Sequence, residues 1–330
     1  MILVTGASGA LGGLILDRLS AVPGLEVVAG TRAAAPESSA PAPSGPAPLA
    51  LSGDTSEGNR AAGRPDARWI DFDRPETLAT GFAGADVLVF VSAGYADDDV
   101  VIARHGAVVR AAAKAGVRHV IYTSLAGSGD GLSLALIHRW TEERLAEAPF
   151  EVTVLRNGLY AEVPVALALL CAGSGVASGV LQAPFGAGRV TVVAREDLAD
   201  VAARVAAEAY ADLAAGADRR HAGRVYELPG VAAIGGADIA AALAETLGRP
   251  VAYRTAPLAA ARVVIGKAGL PAFQADHAIS TLSNVNAGRL VQEGGDLPGL
   301  LAAPPRPVPD LVADAVKALV AVLPTGVATS

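Results

Sequence analysis

The first thirteen residues constrain the fold more than any other stretch. Ile2-Leu3-Val4 is a continuous apolar run, as expected of a strand covered on both faces of a parallel sheet. Gly6, Gly9 and Gly12 follow within Thr5-Gly6-Ala7-Ser8-Gly9-Ala10-Leu11-Gly12. Leu11, Leu14, Ile15 and Leu19 then recur at helical intervals. Strand, glycine turn and helix in this order let backbone come close to a pyrophosphate and offer it the N–H groups of a helix N-terminus. A ligand-free turn can use the same glycines, but the flanking strand and amphipathic helix favour a bound dinucleotide.

The alternation continues downstream. Leu25 to Arg32 reads as a second strand, Arg68 to Asp73 as a third, Ala85 to Ser92 as a fourth, Val120 to Tyr122 as a fifth and Glu151 to Leu155 as a sixth. Helices are expected from near Pro75, from Asp99 to Ala115 before Gly116, and from Leu132 to Glu147. This predicts an α/β fold, a Rossmann-like doubly wound parallel sheet over residues 1–160. Residues 33–67 interrupt it with a stretch rich in Pro and Ala, expected to be a surface loop or disordered insert. Beyond 161 the alternation loosens. Residues 161–330 read as a smaller, mostly helical substrate-binding portion, partly interleaved with the first. Strands are expected at Val190–Val193, Arg224–Leu228 and Val251–Tyr253, and helices at Glu196–Ala209 and Ala237–Leu247.

The charge of −7 argues against nucleic acid or an anionic membrane as the main partner. The longest apolar candidate, Val163 to Val176, is too short to span a bilayer and contains glycines. Cys171, the single cysteine, excludes a disulfide framework and is expected to be buried and inert. The acids Asp97, Asp98 and Asp99 are expected to start a helix rather than bind metal, because no His partners them at ligand spacing. No secretory signal pattern is present, so a cytoplasmic location is expected.

Arg32 closes the second strand, where NAD-binding chains usually place an acid for the ribose hydroxyls. A guanidinium there suits a 2′-phosphate and so favours NADPH (NADP), although an exposed Arg at a strand end needs no ligand. Ser92, Ala93 and Gly94 leave the fourth strand at its C-terminal end, where small residues let a dinucleotide pass.

Three further stretches sharpen the reading: Ala113 to Leu125, with Tyr122-Thr123-Ser124 at its end; Leu155-Arg156-Asn157-Gly158-Leu159-Tyr160-Ala161-Glu162; and Gly223 to Leu228. With the glycine motif, they resemble the atypical short-chain dehydrogenases/reductases, specifically the NmrA-like group and its bacterial type-2 NAD(P)H:quinone oxidoreductase branch. The resemblance spans the chain outside residues 33–67. It implies that Asp71 hydrogen-bonds the adenine amino group beside Phe72, with helix capping by Asp71 or Asp73 as the competing role. It further implies that Asn157 and Tyr160 lie beside the nicotinamide, with Thr123 at the strand end among the cofactor-binding residues.

The resemblance also exposes an absence. Members with the usual apparatus carry Tyr-x-x-x-Lys on the helix after the fifth strand, the Tyr as proton donor. Aligning Glu142 with the acid that follows that Lys puts His138 at the Lys position and Leu134 at the Tyr position. Ser124, His138 and Tyr160 remain as candidates to orient a carbonyl or move a proton, and His138 could instead hold the nicotinamide ribose. Three functions fit. The first is hydride transfer to a quinone or conjugated aromatic ketone, where a delocalised product lessens the need for an enzymic acid. The second is reduction of a polycyclic aromatic polyketide. The third is a non-catalytic NADP-binding redox sensor. Oligomeric state is left open.

Overall fold

The computed structural model describes residues 1–32, 66–92 and 95–321. Almost all of the expected 33–67 insert, together with Ala93 and Gly94, lies outside the described residues. The first half alternates as β1 (Ile2–Val4), α1 (Ala10–Ser20), β2 (Val27–Thr31), β3 (Ala67–Trp69), α2 (Glu76–Gly81), β4 (Val87–Phe90), α3 (Asp98–Ala115), β5 (His119–Leu125), α4 (Ala135–Ala146) and β6 (Glu151–Asn157). There follow β7 (Leu159–Tyr160), α5 (Glu162–Ala172), β8 (Val180–Ala183), β9 (Arg189–Val193), α6 (Arg195–Ala215), β10 (Val225–Leu228), β11 (Ala232–Gly235), α7 (Gly236–Leu247) and β12 (Ala252–Thr255). Four helices finish the described chain: α8 (Leu258–Lys267), α9 (Ala272–Asn286), α10 (Leu297–Leu300) and α11 (Val308–Ala321).

The main sheet has seven strands in the order β10-β6-β5-β4-β1-β2-β3. Every pairing in it is parallel. Strand order reverses at β1, so the crevice for a ligand opens at the C-terminal ends of β1 and β4. Ile2, Leu3 and Val4 are fully buried because helices cover both faces. On one face Leu3, Leu88, Phe90, Val120 and Tyr122 pack against Val108 and Ala112 of α3. On the other, Ile2, Val4 and Val89 pack against α1 and α6 through Ile15, Leu19, Leu198 and Val205. Gly116 ends α3 in the left-handed conformation, at φ 73°.

The C-terminal half does not form a separate layer throughout, since α6 and β10 complete the main sheet's packing and edge. Two small sheets, β11-β9-β7 and β12-β8, belong to a third core built on α5, α7, α9 and α11. Four of these elements, β7, α5, β8 and β11, lie where the sequence shows no clear period. Cys171 closes α5 half-buried rather than fully buried, and burial pushes its thiol up to about 11. Among the described residues no helix is long and apolar enough to cross a membrane.

Candidate functional site

The glycine turn is built for close backbone packing. Gly6 takes φ 61°, a region that penalises any Cβ, and its carbonyl accepts from the Gly9 N–H at 2.9 Å. A Cβ on Gly12 would lie 2.2 Å from the Gly6 oxygen. Thr5 is buried beneath, and its hydroxyl accepts from the Val91 N–H at 3.0 Å, locking β1 to the end of β4. No side chain caps α1, and within the described residues the N–H groups of Ala10, Leu11 and Gly12 have no protein acceptor. Ser8 is exposed beside them. Among the described residues the turn thus leaves these backbone donors free.

Arg32 is exposed at the end of β2, close enough to Asp73 to help depress its carboxyl. The larger cause is Arg104, which grips Asp73 with two hydrogen bonds of 2.7 and 2.8 Å. Asp71 accepts the Asp73 N–H at 3.0 Å, while its own N–H donates to the Thr77 hydroxyl. Neither aspartate caps α2, whose N-cap is Pro75. Phe72 meets Phe90 edge to face at 5.8 Å, so its ring is half given to the core.

Along the crevice the strand ends line up. The Thr123 hydroxyl accepts the Ser92 N–H at 3.0 Å and joins β5 to β4. Ser124, one residue on, donates to Glu142 of α4. Asn157 ends β6; its backbone oxygen accepts from Ala126, but its buried side-chain Oδ1 has no partner among the described residues. Tyr160 is half-buried under the Arg195 guanidinium, 4.5 Å from ring centre to Cζ. Leu125, Ala126, Leu132, Leu159, Val190 and Leu290 line an apolar cleft beside these ends.

His138 stands apart. It is buried against the sheet, its Nδ1 2.8 Å from the Tyr122 hydroxyl, beneath Ser124 rather than level with it. Burial, with the nearby Arg139 charge, holds its pKa at about 3, so the ring is neutral at pH 7 and does not act as an acid there. Leu134, at the expected tyrosine position, packs into the C-terminal core.

Two side chains absent from the sequence-based expectations, Arg156 and Arg195, tie these elements together. Arg156 bridges Glu142 at 2.7 Å and Glu227 at 2.9 Å, and Glu227 accepts the Gly127 N–H at 2.7 Å. Arg195 pairs with Glu162 at 2.8 Å. Arg156, Glu162 and Glu227 lie inside the quoted motifs, so the signal was present; their partners are distant in sequence and could not be read.

Three buried histidines give a prediction. His105, His119 and His138 are held at about 3, 4 and 3, mainly by burial. The unfolded chain therefore binds more protons between these values and the ordinary value near 6.5, so stability falls as pH drops through that window. Urea midpoints should decline from pH 7 to pH 4, and His105→Asn should flatten the decline.

The comparisons agree with this architecture. The chain is 30% identical over 306 residues to quinone oxidoreductase 2 of Escherichia coli strain K12, covering 92% of this chain and 94% of that one. The NADPH complex of an E. coli NADPH-dependent quinone oxidoreductase superposes with a TM-score of 0.74 at 28% identity, covering 97% and 100%. The NADP(H) complex of Citrobacter sp. triphenylmethane reductase gives 0.74 at 27%, covering 95% and 99%. An NAD(P)H azoreductase of Xenophilus azovorans is 28% identical, covering 62% of this chain and 67% of its own. The sequence model of the NmrA-like family matches residues 1–287, and the chain belongs to that family.

Proposed function

We propose that this chain is an NADPH-dependent oxidoreductase that reduces a quinone or a related conjugated aromatic carbonyl. The observation that carries the reading is that, among the described residues, the Ala10–Gly12 amides at the end of β1 and the buried Asn157 Oδ1 at the end of β6 lack partners. The residues fit the cofactor. The turn keeps α1 packed close on β1 only because Gly12 lacks a Cβ, and an orphaned buried acceptor costs about 1–3 kcal/mol unless a ligand or water satisfies it. Bound there, the nicotinamide supplies a hydride. Arg32 would hold the 2′-phosphate, Asn157 would accept the carboxamide N–H, and the apolar side chains beside these strand ends would meet a flat acceptor. Quinone, azo and triphenylmethane acceptors, named for the relatives, share this conjugated character.

Ser124 is engaged with Glu142 and His138 is neutral, so neither serves as the proton source in this reading. The apolar replacement of the usual tyrosine by Leu134 favours the sensor alternative. Turnover separates the two. NADPH oxidation should be measured with a panel of small quinones and one polycyclic aromatic ketone; quinone reduction is expected, and tight NADP binding with no turnover would overturn it. Faster turnover of the polycyclic ketone would favour the ketoreductase reading. Arg32→Ala should weaken NADPH binding about tenfold or more, the loss of one charge-assisted contact, and leave NADH unchanged. Equal loss for both cofactors would remove the 2′-phosphate role.

A further inference from the structure

Arg195 occupies an unfavourable place. It is the first residue of α6, a 21-residue helix, where the macrodipole repels a cation. Its side chain is only 13% exposed, yet the two residues that follow, Glu196 and Asp197, are the acids this position normally attracts. Two contacts hold it there. The first residue of α5, Glu162, takes one guanidinium nitrogen at 2.8 Å, and the face of Tyr160 takes the plane at 4.5 Å. The register of β7 on β9 enforces the meeting, because Tyr160 pairs with Val193, two residues before Arg195. The contacts run Glu162–Arg195–Tyr160, with Tyr160 three residues after Asn157 ends β6.

We propose that Arg195 is the positioning residue that holds the Tyr160 hydroxyl as proton donor to the reduced acceptor. The inference rests on the reductase reading above. When the acceptor carbon gains hydride, its oxygen gains an electron pair; the Tyr160 O–H bond breaks, the proton passes to that oxygen, and water reprotonates the phenolate. The cation supplies what the lysine of Tyr-x-x-x-Lys supplies elsewhere, a fixed positive charge against the tyrosine, here over the ring face. Burial raises the Tyr160 pKa, and the Arg195 charge opposes that rise.

The test is steady-state quinone reduction by the full chain across pH, with NADPH affinity measured separately. Tyr160→Phe should lower kcat about 100-fold with little change in KM. Arg195→Met should lower kcat about tenfold and move the alkaline limb of the kcat profile to higher pH, since the phenol loses its neighbouring cation. Arg195→Lys should recover most of the activity if the charge is what matters. In the double variant Arg195→Met should add nothing to the loss from Tyr160→Phe. Multiplicative losses, an unmoved pH limb, or an Arg195→Met defect confined to NADPH affinity would each overturn the assignment. Thermal midpoints of the variants separate misfolding from these outcomes, and an Arg195→Lys chain that folds but stays as slow as Arg195→Met counts against the proposal. A wild-type chain that binds NADPH but reduces no acceptor would instead overturn the reductase reading and this inference with it.

Discussion

Gly12→Ala is expected to abolish measurable NADPH binding and to lower the thermal midpoint by several degrees. The added Cβ would meet the Gly6 oxygen at 2.2 Å and the Thr5 oxygen at 3.1 Å. Both are backbone atoms of a turn held by the Gly6–Gly9 hydrogen bond and by the Thr5 hydroxyl on Val91, so neither yields as a side chain would. Moving α1 outward relieves the contact, at the expense of the Leu11, Ile15 and Leu19 packing that fixes the helix. Overpacking of this kind costs about 1–3 kcal/mol in stability. The effect on binding is larger, because the helix N-terminus is itself the surface offered to the pyrophosphate. The adjacent Gly13→Ala supplies the control. Its Cβ would sit 3.4 Å from the Ala7 oxygen, an ordinary contact, and alanine is the better helix former by about 1 kcal/mol. Gly13→Ala should therefore bind NADPH as the wild type does and melt no lower. Calorimetric titration and thermal unfolding check both.

Much of the fold was legible because each early strand is followed by its own amphipathic helix. The pattern fails after residue 161 for a physical reason. α5 is apolar nearly all round, with Pro164, Val165, Ala166, Leu167, Ala168 and Leu169 all buried, so it shows no 3.6-residue period. β8 and β11 are four residues each, and β8 finds its partner β12 some 70 positions later, beyond any local pattern. β10 reads as a strand from its sequence, but its place beside β6 as the seventh strand of the main sheet depends on the path of α6.

The candidate site divides similarly. The glycine turn is local, so its residues and its geometry could both be read from the chain. His138 and Glu142, four apart, both reach β5 from one side of α4. Spacing says nothing of depth, however. His138 is tied to Tyr122 beneath the crevice, and Ser124 is already committed to Glu142. Arg156 sits in plain view within Leu-Arg-Asn-Gly, while its partners lie 14 residues before and 71 after it.

Glu142→Gln is expected to cost about 3 kcal/mol at neutral pH and to raise the KM for the acceptor. Glu142 is 13% exposed and accepts from Arg156 at 2.7 and 3.1 Å, from Arg139 at 2.7 Å, and from Ser124. Burial alone would raise its pKa; hydrogen bonds from Arg156 and Ser124, with the charges of Arg139 and Arg156, outweigh that and hold the carboxyl below its ordinary value. Glutamine keeps an acceptor for Ser124 but leaves two partly buried guanidinium groups without their shared anion, the costly way to break such a pair. Because the folded pKa is depressed, the contribution is present above the unfolded value and disappears as pH falls through the folded one. The stability gap between Glu142→Gln and wild type, measured by urea unfolding, should therefore narrow as the pH is taken down into the carboxylate range. Glu143→Gln, on an exposed side chain one residue on, should change stability by about 0.5 kcal/mol or less at any pH. The kinetic effect follows from the same ladder. Arg156 also holds Glu227, and Glu227 holds the Gly127 N–H at the start of the 126–132 loop, whose Ala126 and Leu132 wall the cleft. Loosening Arg156 frees that wall while the glycine turn stays intact, so acceptor KM should rise with NADPH affinity unchanged.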